Sequence, residues 1–186
     1  MGQYYKPCVL KKNYKNVKQP VISGLYSHEF GNGLKLMEHS WVGNNFVRAA
    51  MQLIAKYKGY PFVWCGDYAE GIFTDINGES ANAYMLIHTI TPSELEEIVK
   101  ENGIEENYKY IVNYTKREYI EIPENNDDWV IHPLPLLCAD GNGCGGGDFW
   151  GKNQRRVGSW KRNVVVVSDN RPGDTYKEIS IDFVEG

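Results

Sequence analysis

The stretch Leu134–Gly151 constrains this chain more than any other. It reads Leu-Pro-Leu-Leu-Cys-Ala-Asp-Gly-Asn-Gly-Cys-Gly-Gly-Gly-Asp-Phe-Trp-Gly, an apolar run ending at Asp140 and then six glycines by Gly151. Glycine at this density means that backbone must approach something closely or turn at positive φ. Three readings are open. Successive amides can form a nest for an anion such as phosphate. Asp140-Gly-Asn142-Gly-Cys144 copies part of a calcium-loop spacing, but cysteine stands at the fifth position and Gly151 where a bidentate glutamate is needed. Or the loop is a wide structural turn in which Asp140 and Asp148 bond local amides. No Gly-Lys-Ser/Thr follows, so the Walker pattern is absent.

The candidate ligand-binding residues cluster on this loop and its neighbours. Asp140, Asn142, Gly145, Gly146 and Asp148 supply the loop, and Trp150 and Trp160 supply rings for stacking. Asp67, at the end of an apolar run, and His39 and His132 supply titratable groups, as an acid/base pair would require. Trp41 and Trp64 also adjoin polar or glycine segments. Cys144 is the one cysteine placed among amides that would activate a thiolate. No C-x-x-C, H-x-x-x-H or H-E-x-x-H spacing occurs, so neither a metal nor a cofactor is expected.

Periodicity gives two helices. Phe46–Tyr57 carries apolar residues at three- and four-residue spacing behind Asn44 or Asn45 as cap, with Gly59 beyond its end. Thr91-Pro-Ser-Glu94 is a capping box with proline at the first helical position, and Gly103 closes that helix. Strands are expected at Gln3–Leu10, Leu34–Met37, Tyr60–Cys65, Tyr84–Ile90 and Ile179–Val184, with a hairpin of Tyr108–Tyr114 and Glu118–Ile122. Pro123–Asp128 reads as an acidic turn, and Trp129–His132 with Leu136–Ala139 as an extended segment around two prolines. Val164–Val167 reads as a strand buried on both faces. Phe62–Asp67 and Val164–Asp169 echo each other, which as adjacent strands would bring Asp67 and Asp169 to one sheet edge. The expected fold is α+β: a single domain over residues 1–186, with a mixed or antiparallel sheet of about six to eight short strands and two helices.

Charge is split along the chain. Met1–Tyr60 has nine Lys/Arg against two Glu, whereas Pro61–Asp128 has four Lys/Arg against fifteen Asp/Glu. The basic residues are scattered and accompany no nucleic-acid motif, so the two segments are expected to lie against each other and neutralise. No membrane-length apolar run or signal-peptide core is present, and the four cysteines suit a reduced cytosolic protein.

The chain resembles an uncharacterised family spread among bacteria, phages and fungi. The segments that carry the resemblance are Met1-Gly-Gln-Tyr-Tyr5, Gly33-Leu-Lys-Leu-Met-Glu-His-Ser-Trp41, Trp64-Cys-Gly-Asp-Tyr68, the Asp140–Asp148 loop and Gly158-Ser-Trp160 leading into Val164–Asp169. Relatives typically continue the last segment with Ala-Gly-Asp and Gly-Asp-Tyr; here Lys161-Arg162-Asn163 and Ser168-Asp169-Asn170 stand instead. The resemblance implies no activity, and its phage members imply host takeover or counter-defence as a setting. The expected function is a cytosolic binding protein holding a nucleotide-like or anionic small ligand near the glycine loop. One alternative is a hydrolase or phosphoesterase using Asp and His. The other is an inhibitor that engages a host protein through an acidic face.

Overall fold

The computed structural model describes residues 1–126 and 129–186. In chain order its strands are β1 Tyr5–Leu10, β2 Val21–Gly24, β3 Phe62–Gly66, β4 Phe73–Thr74, β5 Ser80–Ala81, β6 Tyr110–Asn113, β7 Glu118–Glu121, β8 Ala139–Asp140, β9 Gly151–Lys152, β10 Val165–Ser168, β11 Lys177–Glu178 and β12 Val184–Glu185. The helices are α1 Leu36–His39, α2 Asn45–Lys56, α3 Ala83–Leu86, α4 Pro92–Asn102 and α5 Pro133–Cys138. The class is α+β, with eight of the strands in two four-stranded sheets ordered β2-β1-β3-β8 and β10-β6-β7-β11. Each sheet is mixed: β3–β8 and β7–β11 are parallel and the other pairings antiparallel.

The first sheet is covered on both faces, as the alternation along β1 dictates. Tyr5 and Val9 face a large core beneath α2, while Cys8 and Leu10 face a smaller cluster with Val63, Cys65, Phe73 and Ala83. Helix α2 inserts Phe46, Val47, Ala50, Met51, Leu53 and Ile54, and each of the larger side chains contributes about 1.5–3 kcal/mol on burial. Asn44 caps it by accepting from the Phe46 and Val47 amides. The same core draws Ile111, Ile120 and Val165 from the second sheet. Helix α4 packs on α2, and Arg48 of the basic segment pairs with Glu106 of the acidic one at 3.1 Å.

Both helices expected from periodicity form, and the hairpin forms as β6–β7. Several expected strands do not. Leu34–Met37 enters helix α1, and Tyr84–Ile90 begins as helix α3, capped by Asn82. Of the segment around two prolines, the part before them stays extended, with Ile131 bridged to Trp41, but Pro133–Cys138 is helix α5. Pro133 and Pro135 sit in its first turn, where no intrahelical N–H is needed, and the His132 imidazole caps it. The valine run does form, as the edge strand β10 beside β6, and it is buried on both faces as expected, Val165 in the large core and Val166 in a separate cluster with Val112 and Tyr119. Ile179–Val184 keeps its alternation, with Phe183 buried and Ile179 and Ile181 against the core, but only its flanks pair, as β11 and β12. Of the expected acidic turn Pro123–Asp128, Asp127 and Asp128 lie outside the described residues. Finally, β3 and β10 belong to different sheets and meet only through an antiparallel bridge at Pro61 and Val164. From that bridge they run in opposite directions, so Asp67 and Asp169 do not share an edge.

Candidate functional site

The glycine loop does build a nest of amides, and an anion occupies it: the carboxylate of Asp148. Its Oδ2 accepts from the amides of Gly143, Cys144 and Gly145 at 2.6, 2.9 and 3.0 Å. Its Oδ1 accepts from the buried Tyr5 hydroxyl at 2.7 Å. Burial and the adjacent carboxylate push the Tyr5 hydroxyl far above its ordinary pKa. Asn142 closes the loop by exchanging two bonds with the main chain of Phe149. Gly145 and Gly146 flank the N-terminal residues: the Gln3 amide donates to the Gly146 carbonyl, and the Gly146 amide donates to the Met1 carbonyl, both at 3.0 Å. A Cβ on Gly145 would stand 2.9 Å from the Gln3 amide nitrogen, so here glycine is required for close backbone approach. Trp150 stays largely exposed, while Trp160 is fully buried and donates its indole N–H to Glu118 at 2.9 Å.

Asp140, where β8 runs beside Cys65 of β3, faces a different environment. Its side chain is only 8% exposed, yet it accepts from two cations, Lys161 Nζ at 3.1 Å and the Arg162 guanidinium. One negative charge is thus shared between two positive ones. The turn that presents them is held by main-chain bonds from Gly158 to Leu136, from Trp160 to Leu137 and from Arg162 to Phe62, each 2.8 Å. Lys161 and Arg162 line a hollow of about 320 Å³ together with Lys15, Tyr14, Ile72 and Phe73. Tyr14 and Phe73 meet edge-on with ring centroids 5.9 Å apart. The hollow therefore combines surplus positive charge with an aromatic wall at the start of the glycine loop. Burial and the Asp140 charge push the neighbouring Cys65 thiol up to about 12, which makes it a poor nucleophile.

The remaining candidates do not converge on this place. Asp67 exchanges bonds with the main chain of Tyr4: its amide donates to the Tyr4 carbonyl and its Oδ1 accepts from the Tyr4 amide. His39 is fully buried, with Nδ1 3.0 Å from the Gly33 carbonyl and Nε2 accepting from the Trp64 indole at 3.1 Å. That pair of bonds fixes a neutral ring, and desolvation lowers its pKa to about 4. His132 is likewise buried, and its pKa is lowered to about 3 by desolvation. Neither histidine hydrogen-bonds to Asp67 or Asp140. Cys144 is exposed, with its amide engaged by Asp148. Among the described residues no three His, Cys, Asp or Glu side chains converge as a metal site, and no helix is long and apolar enough to cross a membrane.

The residues that sequence reasoning passed over are Lys15, Lys161, Arg162 and Tyr14. The adjacent Lys161-Arg162 pair was the available signal, although the left-handed Arg162, at φ 62°, was not legible. The meaning of the pair depended on β8 delivering Asp140 from 21 residues before Lys161. No protein-family model, curated protein or solved structure matches this chain.

Proposed function

We propose that this is a binding protein for a nucleotide-like or anionic small ligand, held beside the glycine loop in the hollow of Lys15, Lys161 and Arg162. The observation that supports this most is the sharing of the Asp140 carboxylate by two cations, which leaves positive charge directed at a hollow with an aromatic wall. An oxyanion would accept from Arg162 and the lysines, and a ring would lie along Tyr14. The glycine amides take no part, because Asp148 saturates them. Binding is preferred to a hydrolase or phosphoesterase because both buried histidines are neutral and neither meets a candidate carboxylate.

A cytosolic setting is part of the proposal, supported by four free thiols at Cys8, Cys65, Cys138 and Cys144. Counter-defence in a phage rests on the family resemblance. A second reading, inhibition of a basic host protein, is favoured by the exposed Glu94, Glu96, Glu97 and Glu101 of α4. Titration calorimetry with inorganic phosphate and nucleoside monophosphates tests the first reading. Saturable binding that is lost in Arg162→Ala supports it; binding that is unchanged in that variant overturns it.

A further inference from the structure

A second hollow has the opposite chemistry. It lies where the segment before α2, the loop after β7 and the chain leading into α5 meet, and encloses about 490 Å³. Glu121 and Glu124 outnumber Lys109 on its lining, which disfavours an anion. An adjoining hollow of about 440 Å³ shares Val42, Gly43 and Asn125 with it and is walled by Trp41 and Trp129.

Two features of this region are left unsatisfied among the described residues: the exposed face of Trp129 and one ring nitrogen of His132. Trp129 is 80% exposed, an unfavourable position for so large an apolar ring, yet it is well anchored. It meets Trp41 edge-on at 5.2 Å, and the two chain segments are tied by Val42 donating to Val130 and His132 donating to Ser40. His132, which lines the larger hollow, is 2% exposed. Its Nδ1 accepts from the Leu134 amide at 3.2 Å, so the ring proton sits on Nε2. That Nε2–H is buried and finds no acceptor among the described residues. Leaving such a donor unpaired is strongly unfavourable.

We propose that these two hollows form a binding site for a neutral polyhydroxylated ring, a saccharide, distinct from the anion site beside Asp140. A hydroxyl group suits both demands of the larger hollow: its oxygen accepts from His132 Nε2–H and its proton is donated to Glu121 or Glu124. The exposed face of Trp129 stacks against the ring's C–H surface. Gly43, at φ 85°, lets the Asn125 amide close over the backbone, where a Cβ would stand 2.9 Å from Asn125 Nδ2.

The test is tryptophan emission and saturation-transfer NMR on the full chain with a panel of neutral mono- and disaccharides. The expected result is a saturable emission change, a shift of the His132 Nε2 proton, and affinity reduced at least roughly tenfold in Trp129→Ala. Trp129 is exposed, so this variant keeps the fold. Arg162→Ala should bind saccharide unchanged, which separates this site from the anion site. Absence of any saccharide response at high millimolar concentration, or a response undiminished in Trp129→Ala, overturns the proposal. A His132 proton that never shifts during a saturable response would mean that the sugar leaves this donor untouched, and overturns it equally.

Discussion

Replacing Asp148 by alanine removes the anion around which the glycine loop is wound. Four donors lose their acceptor: the amides of Gly143, Cys144 and Gly145 and the Tyr5 hydroxyl. The amides are partly reachable by water and should cost about 1 kcal/mol each. The Tyr5 hydroxyl is buried and should cost about 1–2 kcal/mol. The sum is about 4–5 kcal/mol, a large share of the roughly 5–15 kcal/mol that a domain of this kind possesses. In urea, with a slope of about 2 kcal/mol per molar, the unfolding midpoint should fall by about 2 M with the slope unchanged. Tyr5→Phe should cost only about 1–2 kcal/mol, and the double variant should cost less than the two singles together, because they share one bond. Adding acetate or phosphate to Asp148→Ala should restore part of the loss by refilling the nest. A midpoint shift under about 0.5 M, or full additivity with Tyr5→Phe, would refute this picture of the loop.

Mild acid should weaken the fold through its two buried histidines. His39 and His132 have pKa values lowered to about 4 and about 3, so the unfolded chain binds protons that the folded chain refuses. Stability is therefore full above the ordinary histidine pKa and is lost as pH falls through about 6.5 towards 4. The two together should remove about 2–3 kcal/mol between about pH 7 and pH 5.5, read as a falling urea midpoint; a flat midpoint over that window contradicts the neutral-ring assignment. Gly145→Ala should destabilise by about 1–3 kcal/mol by pushing the Gln3 backbone away. Gly173→Ala, with nothing near its would-be Cβ and no left-handed φ, should be neutral or stabilising by up to about 1 kcal/mol; thermal melts of the two glycine variants decide.

Local rules succeed on this chain where local physics governs. The capping box Thr91–Glu94, the Asn44 cap and the α2 stripe are each complete within a turn or two, and all three form as expected. The proline-bearing segment misleads because Pro133 and Pro135 read as extended unless one knows that a helix starts just before them. The valine run is read correctly as a strand buried on both faces, although four apolar residues do not say that it stands at the edge of its sheet. For the loop, composition correctly indicates an amide nest. The structural reading, in which Asp140 and Asp148 bond local amides, holds for Asp148, three residues past the last donor, but not for Asp140, which turns to Lys161 and Arg162. The cation pair at Lys161 and Arg162 is visible as residues but not as a site, because its partner Asp140 arrives from a different segment of the chain.

An anionic ligand should go to the Asp140 hollow and not into the glycine nest. Amide chemical shifts followed during titration with a nucleoside monophosphate test this most directly. Saturable shifts are predicted at Lys15, Lys161 and Arg162, with Gly143, Cys144 and Gly145 unmoved, and loss of all shifts in Arg162→Ala. Shifts that appear first at Gly143, Cys144 and Gly145 and survive in Arg162→Ala would contradict it.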